Sequence, residues 1–161
     1  MASQLIPSEK SIPSVFDLAF TPDKSIIIAC TDLPTAYDVA TGKGTSITRD
    51  AAPNTSPVWS PDGSQIAFRR LVGGVGGNAD VYVMNADGSA QRAVAETKAS
   101  DVKPVWSPDG KNLVIVSNRK SAFGAAGKTW DLWLTRVSDG EVLNSFKLDA
   151  DEITTPTWSY R

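Results

Sequence analysis

Few residues in this chain have the types that enzyme catalysis needs. The 161 residues include no histidine and one cysteine, Cys30, which lies in an apolar run where we expect a buried small hydrophobe. Neither a Ser-His-Asp nor a Cys-His arrangement can be built, and zinc sites that depend on histidine or on several cysteines are excluded. The Gly-x-Ser-x-Gly motif of hydrolases is also absent. The sequence therefore predicts a non-enzyme without cofactor or metal, and any catalytic domain would lie outside this chain.

The aspartates suggest a different chemistry, because calcium is bound by six to eight oxygen ligands. The recurring aspartates stand in turn sequences, where this residue usually accepts hydrogen bonds from its own backbone. Asp149, Asp151 and Glu152 form the one tight acidic cluster in the sequence, and we expect a solvated loop there. A structural role is likewise expected for the turn aspartates Asp62, Asp87, Asp109 and Asp139.

A repeated motif organises the positions of these residues. The sequence Pro-Val-Trp-Ser-Pro-Asp-Gly occurs at 57–63 and again at 104–110, which is 47 residues later. A weaker copy begins at Leu18, 39 residues before the first, and a truncated copy begins at Pro156, 52 residues after the second. Such spacings are typical of propeller blades. The repeat-motif residues are Pro57, Trp59, Pro61, Asp62 and Gly63, with Pro104, Trp106, Pro108, Asp109 and Gly110.

Each copy of the motif predicts a strand that leads into a hairpin turn. Ser-Pro-Asp-Gly has the residues that a type I turn favours, and we expect Gly63 and Gly110 to be left-handed and to close a three-residue hairpin with a bulge. Lys24 replaces this glycine in the weaker copy, where left-handed backbone would cost roughly 1–2 kcal/mol, so a turn of another type is expected. Because the tryptophans recur with the motif, we expect them in the core: Trp59, Trp106 and Trp158.

The pattern of strands predicts an all-β fold. Four short strands in each repeat, without helical periodicity, indicate four-stranded antiparallel blades. An N-terminal arm, 1–12, precedes repeats at 13–52, 53–99 and 100–150 and a partial repeat at 151–161. About three blades do not close a ring, since propellers have typically four to eight. The chain is then part of a longer propeller, half of a six-bladed ring, or a partial propeller covered by another subunit.

Three parts of the sequence resemble the TolB-type, WD40-like β-propeller repeat. They are the motif, the apolar strand after it, and the stretch from Asp80 to Gly88, which reads Asp-Val-Tyr-Val-Met-Asn-Ala-Asp-Gly. The resemblance covers about residues 13–161. It implies a propeller fold, but little about function, because such folds serve unrelated roles. It also implies an envelope or scaffold protein as partner and a periplasmic or extracytoplasmic location. The alternative location is cytoplasmic, and residues 1–12 show no signal peptide.

Blade topology predicts where partners bind. The long loops 71–79 and 118–128 share one face with the linkers between repeats, and we call it the long-loop face; the Pro-Asp-Gly turns lie on the opposite side, the turn face. Loops that lengthen on one face often mark the binding side of a repeat protein, although they can also be neutral variation. Basic groups around an aromatic suit a protein surface or an acidic ligand. The predicted partner-binding residues are Arg69, Arg70, Asn78, Asn118, Arg119, Lys120, Phe123 and Lys128.

The sequence thus predicts a non-enzymatic propeller module that binds a protein partner, or itself, through its long-loop face. The alternatives are the gating propeller of a larger prolyl-oligopeptidase-like hydrolase and a structural subunit of a multi-protein assembly. A net charge of −2, from 16 basic and 18 acidic residues, gives no electrostatic footprint for nucleic acid. No stretch approaches the ~18 apolar residues of a membrane span.

Overall fold

The chain folds into antiparallel sheets. A computed structural model describes residues 17–30, 34–48, 54–73, 77–120, 126–150 and 156–158. Within these ranges there are twelve strands, no helix, and three sheets of four strands each. The all-β fold of four-stranded propeller blades is therefore confirmed. The predicted N-terminal arm lies outside the described residues.

In every sheet the spatial order of the strands follows their order in the sequence. The first sheet contains β1 (Asp17–Phe20), β2 (Ile26–Cys30), β3 (Thr35–Asp38) and β4 (Gly44–Ser46). The second contains β5 (Asn54–Trp59), β6 (Gln65–Leu71), β7 (Ala79–Asn85) and β8 (Arg92–Ala95). The third contains β9 (Asp101–Trp106), β10 (Asn112–Arg119), β11 (Ala126–Arg136) and β12 (Val142–Ala150). The predicted boundaries between repeats fall between these sheets and stay a prediction.

The central hairpin of the third sheet is longer than predicted. We expected a loop at 118–128, but β10 continues to Arg119 and β11 begins at Ala126, and these two residues are paired across the hairpin. The ladder is irregular between Ser117 and Arg119. Polar residues extend the strands here because the ladder bonds involve backbone groups, which every residue type except proline supplies.

The middle sheet is buried on both faces. Ile66 and Phe68 of β6 belong to a cluster with Ile28 of the first sheet. Ala67, which lies between them in sequence, belongs to a second cluster with Leu113 of the third sheet. Because successive side chains of a strand point to opposite faces, each neighbouring sheet requires its own apolar set. This arrangement explains why β6 is apolar at consecutive positions, as expected for radially stacked blades.

The Pro-Asp-Gly turns have a different closure from the one predicted. Ser60 N donates to Gln65 O at 2.9 Å, and Gly63, with φ of 72°, donates its N–H to Ser60 O at 2.9 Å. The loop therefore has four residues, 61–64, rather than three. The loop is longer because side chains take the place of backbone carbonyls as hydrogen-bond acceptors. The Ser60 hydroxyl accepts the Gln65 N–H, and the Asp62 carboxylate accepts the Ser64 N–H.

The turn that contains Lys24 is of the same type as the Pro-Asp-Gly turns. The expectation that it would be a turn of another type was therefore wrong. Lys24 has φ of 61° and donates its N–H to Thr21 O at 2.9 Å. Asp23 Oδ1 accepts hydrogen bonds from the Thr21 hydroxyl at 2.6 Å and from Ser25 N at 3.0 Å. These bonds, first the one from Thr21, lower the pKa of Asp23 to about 2. The side-chain network supports the turn despite the left-handed strain of a lysine.

The repeated tryptophans occupy three environments. Trp106 is buried, and its Nε1 donates to Val58 O of the second sheet at 3.1 Å, which fastens the third sheet to the second. Trp59 is half-buried and packs against the cluster shared with the first sheet. Trp158, also expected in the core, is 40% exposed. It differs because no further sheet packs over it within the described part of the chain.

Candidate partner-binding surface

The predicted binding residues lie near the ends of β6 and β10 and the start of β7. Arg69 and Arg70 belong to β6, Asn78 precedes β7, and Lys120 follows β10. Val72 N donates to Asn78 O at 2.8 Å and closes the β6–β7 hairpin beside them. Phe123 lies outside the described residues. Lys128 lies in β11, and its side chain is not described, which also holds for Cys30 in β2.

Two asparagine side chains fasten the linker between the second and third sheets to their hairpins. Asn78 Nδ2 donates to Lys98 O at 2.8 Å. Ser100 N donates to Asn118 Oδ1 at 2.9 Å, and Asn118 N donates to Ser100 O at 3.3 Å. The two hairpins and the linker therefore form one continuous surface on the long-loop face.

Arg119 is not part of that surface, although it was included in the predicted set. Its side chain is 2% exposed, and its Nη2 lies 3.0 Å from Oδ1 of the fully buried Asp101. Nε donates to Ser117 Oγ at 3.1 Å, and the guanidinium lies 4.7 Å from the centre of the Trp133 ring. A buried guanidinium needs both a counter-charge and hydrogen-bond acceptors; here Asp101 supplies the charge and Ser117 accepts the Nε–H. The side chain is thus used inside the fold.

Arg70 makes similar contacts in the second sheet. Its Nε donates to Asn54 Oδ1 at 3.1 Å, and its guanidinium lies 4.4 Å from the centre of the Tyr82 ring. Asn54 and Asp101 are 47 residues apart, and Tyr82 pairs with Phe68 as Trp133 pairs with Ile115. The repeat spacing aligns Arg70 with Ser117 and not with Arg119, so the two arginines make similar contacts from different strand positions.

Within the described part of the predicted set, the side chains differ in their exposure to solvent. Lys120 and Asn78 are exposed, while Arg69 is half-buried and its Nη1 donates to Thr55 Oγ1 at 3.2 Å. Two residues that the sequence analysis did not single out are also exposed here, Lys98 of the linker and Val72, which is 39% exposed. The sequence signal for both was their place in a linker and a loop of this face. The exposed set combines cationic, amide and apolar groups.

A buried acidic site lies beneath the linker. Thr97 Oγ1 donates to Asp101 Oδ2 at 2.8 Å, and Thr97 N lies 3.4 Å from its acceptor, Asp80 Oδ1. Burial raises the pKa of Asp80 to about 6, and the carboxylates of Asp101 and Glu96 add to the effect. Burial also raises the pKa of Asp101, against the opposing effect of Arg119. These residues hold the linker in place and were missed because their contacts join different strands.

Neither a metal nor a membrane span is indicated by the described residues. Among them, no three His, Cys, Asp or Glu side chains come close enough together to hold a metal ion. No helix long and apolar enough to cross a membrane is found in that part of the chain. The turn aspartates instead hydrogen-bond within their own turns, as Asp109 does with the Ser107 hydroxyl at 2.6 Å and Lys111 N at 3.0 Å.

The outward faces of the first and third sheets are apolar and exposed. In the first sheet, Leu18 is 62% exposed and Phe20 is 54% exposed. On the third sheet, a groove of about 310 Å³ is lined by apolar side chains of β9 to β12 together with residues 156–158. Phe146 and Trp158 in this groove are 48% and 40% exposed. Exposed apolar faces of this kind mark surfaces that bind other protein elements.

Comparison with known proteins agrees with this architecture. A family model described as "TolB beta propeller domain" matches residues 34–159. A search among curated proteins finds no match.

Three solved structures show the same fold. The structure of putative TolB from Agrobacterium tumefaciens is 22% identical, with a TM-score of 0.66, over 84% of this chain and 51% of that one. TolB from Acinetobacter baumannii is 22% identical, with a TM-score of 0.62, over 81% of this chain and 31% of that one. An acylaminoacyl peptidase from Pyrococcus horikoshii is 18% identical, with a TM-score of 0.61, over 82% of this chain and 25% of that one. This chain thus spans about half the length of the first of these structures and a smaller share of the other two.

Proposed function

This chain belongs to the TolB β-propeller domain family, and we propose that it is a non-enzymatic interaction module that binds a protein partner through its long-loop face. The observation that carries the proposal is the fastening of the linker by Asn78 and Asn118, because it joins two blades into one surface. A partner can therefore contact both blades at once without ordering separate loops, which lowers the entropic cost of association.

The composition of this surface suits a protein that presents acidic groups. Lys98 and Lys120 are exposed cations, and Val72 adds an exposed apolar side chain. Complementary charge at the rim of an interface speeds association and selects partners, whereas apolar contact contributes affinity. By the resemblance to TolB-type propellers, the expected partner is an envelope or scaffold protein. Asn78 and Asn118 support the surface and are not expected to dominate binding.

Charge reversal tests this proposal. A double variant, Lys98→Glu with Lys120→Glu, is compared with a control double variant on the turn face, Lys24→Glu with Lys43→Glu. All four lysines are exposed, and both variants change the net charge equally. Proteins that co-purify from the native cells are quantified by mass spectrometry. We expect a partner that is lost with the long-loop variant and retained with the control. The proposal would be contradicted if both variants retained the co-purifying proteins, or if both lost them equally.

A structural role in an assembly is the second candidate, favoured by the apolar outward faces at Phe20 and Phe146. A second copy or another subunit that covers these faces would bury surface now open to water. Light scattering after size exclusion tests for a second copy. A mass twice that of the chain, reduced to one chain by Phe20→Asp, would support self-association through these faces. A monomer that does not bind a hydrophobic dye would contradict both forms of this role.

A place in a larger hydrolase is the remaining alternative, and the similarity to the acylaminoacyl peptidase propeller raises it. This chain would then limit substrate access, while the catalytic residues would lie elsewhere. Labelling of the natively purified protein with a fluorophosphonate distinguishes this alternative, because an active serine hydrolase becomes covalently labelled. The module proposal predicts no labelling.

A further inference from the structure

A cleft on the turn face, on the opposite side from the proposed partner surface, has the features of a ligand site. It lies between the second and third sheets and has a volume of about 710 Å³. Ligand pockets typically have ≈ 300–1,000 Å³. Its charged lining residues are Arg92 of β8, Lys111 of the β9–β10 turn and Arg136 of β11. No carboxylate is among its lining residues within the described part of the chain.

The three cationic side chains of this cleft differ in whether they contact a carboxylate. Arg136 pairs with Asp139 at 2.9 Å and also with Glu141, outside the cleft. Lys111 acts through space on Asp109, but that carboxylate already accepts hydrogen bonds from Ser107 and from the Lys111 backbone. Within the described residues, neither Arg92 nor the Lys111 ammonium makes an ion pair. The cleft therefore presents two cations that have no counter-charge in contact among the residues that the structure describes.

The walls of the cleft are held by contacts between backbones. Val137 N donates to Lys111 O at 3.0 Å, which fixes the turn that carries this lysine. Gly140 of the third sheet approaches the second so closely that an added Cβ would lie 2.6 Å from Val94 O. The spacing between Arg92 and Lys111 is thus set by the packing of two blades. The backbone positions of both residues are therefore fixed before binding, and only their side chains must be ordered when a ligand binds.

We infer that this cleft binds a carboxylate-bearing ligand, either an acidic peptide segment or a small polycarboxylate. Arg92 would pair with a carboxylate in the two-bond geometry that guanidinium groups favour, and Lys111 would neutralise a second carboxylate. Gln65 and Asn112, which also line the cleft, add amide groups for orientation. Because this site lies on the turn face, its failure in a test would leave the proposal for the long-loop face intact.

The inference is tested with two probes, a fluorescein-labelled hexaglutamate peptide measured by anisotropy and unlabelled citrate as a competitor. Wild type is compared with Arg92→Gln plus Lys111→Gln, and with the control Lys24→Gln plus Lys43→Gln, which removes the same charge from exposed lysines that do not line the cleft. Circular dichroism melts verify that both variants fold. We expect the cleft variant to weaken peptide binding at least about tenfold and the control to change it less than about twofold.

The two probes also separate the sources of the carboxylate. Displacement of the peptide by citrate indicates that a small polycarboxylate is sufficient, whereas resistance to citrate together with loss in the cleft variant indicates an extended acidic segment. Either result supports the site. Equal weakening in the two variants would show nonspecific charge attraction and overturn the inference, as would the absence of measurable peptide and citrate binding to the folded wild type.

Discussion

Arg119 Nη2 lies 3.0 Å from Asp101 Oδ1 in the third sheet, and both side chains are nearly inaccessible to water. The same arginine covers the Trp133 ring, while Asp101 also accepts a hydrogen bond from Thr97 of the linker. This ion pair therefore connects the end of β10 to the segment that joins the second blade to the third. The buried pair stabilises the linker on the long-loop face.

Removing the acidic partner of this pair should destabilise the fold strongly. Asp101→Ala leaves a buried guanidinium without its counter-charge, which typically costs about 3–5 kcal/mol. The control is Glu141→Ala, because Glu141 pairs with Arg136 at an exposed site, where an ion pair contributes about 0–1 kcal/mol. Urea denaturation measures both free energies of unfolding. Similar losses for the two variants would contradict the structural role of the buried pair.

The raised pKa of Asp80 predicts a pH-dependent effect of Asp80→Asn. Since the folded-state value is about 6 against 3.8 for the free side chain, the folded protein binds more protons than the unfolded chain between these values. The contribution of Asp80 to stability is therefore fully present below pH 3.8 and is lost as the pH rises through 6. Asparagine keeps an acceptor for Thr97 N and cannot ionise. The free energy of unfolding of the Asp80→Asn variant should equal that of wild type near pH 4 and exceed it by about 1–3 kcal/mol at pH 7.5.

The comparison between these two proteins is made by urea denaturation at several pH values. Taking the difference at each pH removes the effects of the turn carboxylates, whose pKa values are lowered. A difference between variant and wild type that stays constant from pH 4 to pH 7.5 would show that Asp80 is not shifted.

Two turn glycines should differ in their tolerance of alanine. Both are left-handed, with φ of 84° at Gly88 and 72° at Gly63. An added Cβ at Gly88 would lie 1.9 Å from Ile47 O, whereas at Gly63 its nearest neighbour would be Pro22 Cδ at 3.6 Å. Gly63→Ala should therefore cost about 1–2 kcal/mol from backbone strain alone. Gly88→Ala should cost about 3 kcal/mol or more, because the first and second sheets must also separate. Thermal melts that rank the two variants in the opposite order would refute this packing of the blades.

Lys24→Gly should stabilise the chain. It relieves the left-handed strain of a non-glycine residue, about 1–2 kcal/mol, while the greater freedom of glycine in the unfolded chain offsets about 0.4–1 kcal/mol of that gain. A net increase of about 1 kcal/mol in the free energy of unfolding is expected. The matched control is Lys43→Gly, which should not stabilise, because Lys43 is exposed and has no positive φ. Destabilisation by Lys24→Gly would mean that the turn at Lys24 is held differently.

The strands and turns could be predicted from the sequence because their causes are local. Ser60-Pro-Asp-Gly63 encodes its own turn through neighbouring side chains, and the run Ile66-Ala-Phe68 indicates a strand buried on both faces. The closure of the turn was predicted one residue too short, since it depends on whether Gln65 N bonds to the Ser60 hydroxyl or to backbone.

The environment of the binding residues could not be predicted in the same way. Arg119 was placed in the predicted surface because it was expected in the loop 118–128, and arginines are mostly exposed. It is buried because its Nε donates to Ser117 Oγ and its Nη2 pairs with Asp101, the register partner of Ser117 on β9. That contact depends on an irregular ladder and on a residue in another strand, and neither is visible in the local pattern. Exposed Lys98 and Lys120 carry the surface charge instead.

Site-specific photo-crosslinking can detect a partner bound to the long-loop face. A photoreactive amino acid is introduced at Lys120 on the long-loop face or at Lys43 on the turn face, in the full natural protein within its native cells. Both positions are exposed, so the probe should not disturb folding. We predict a discrete crosslinked protein from position 120, absent from position 43 and abolished by Lys98→Glu. Identical crosslinks from both positions, or none from position 120, would show that the long-loop face is not the partner-binding face.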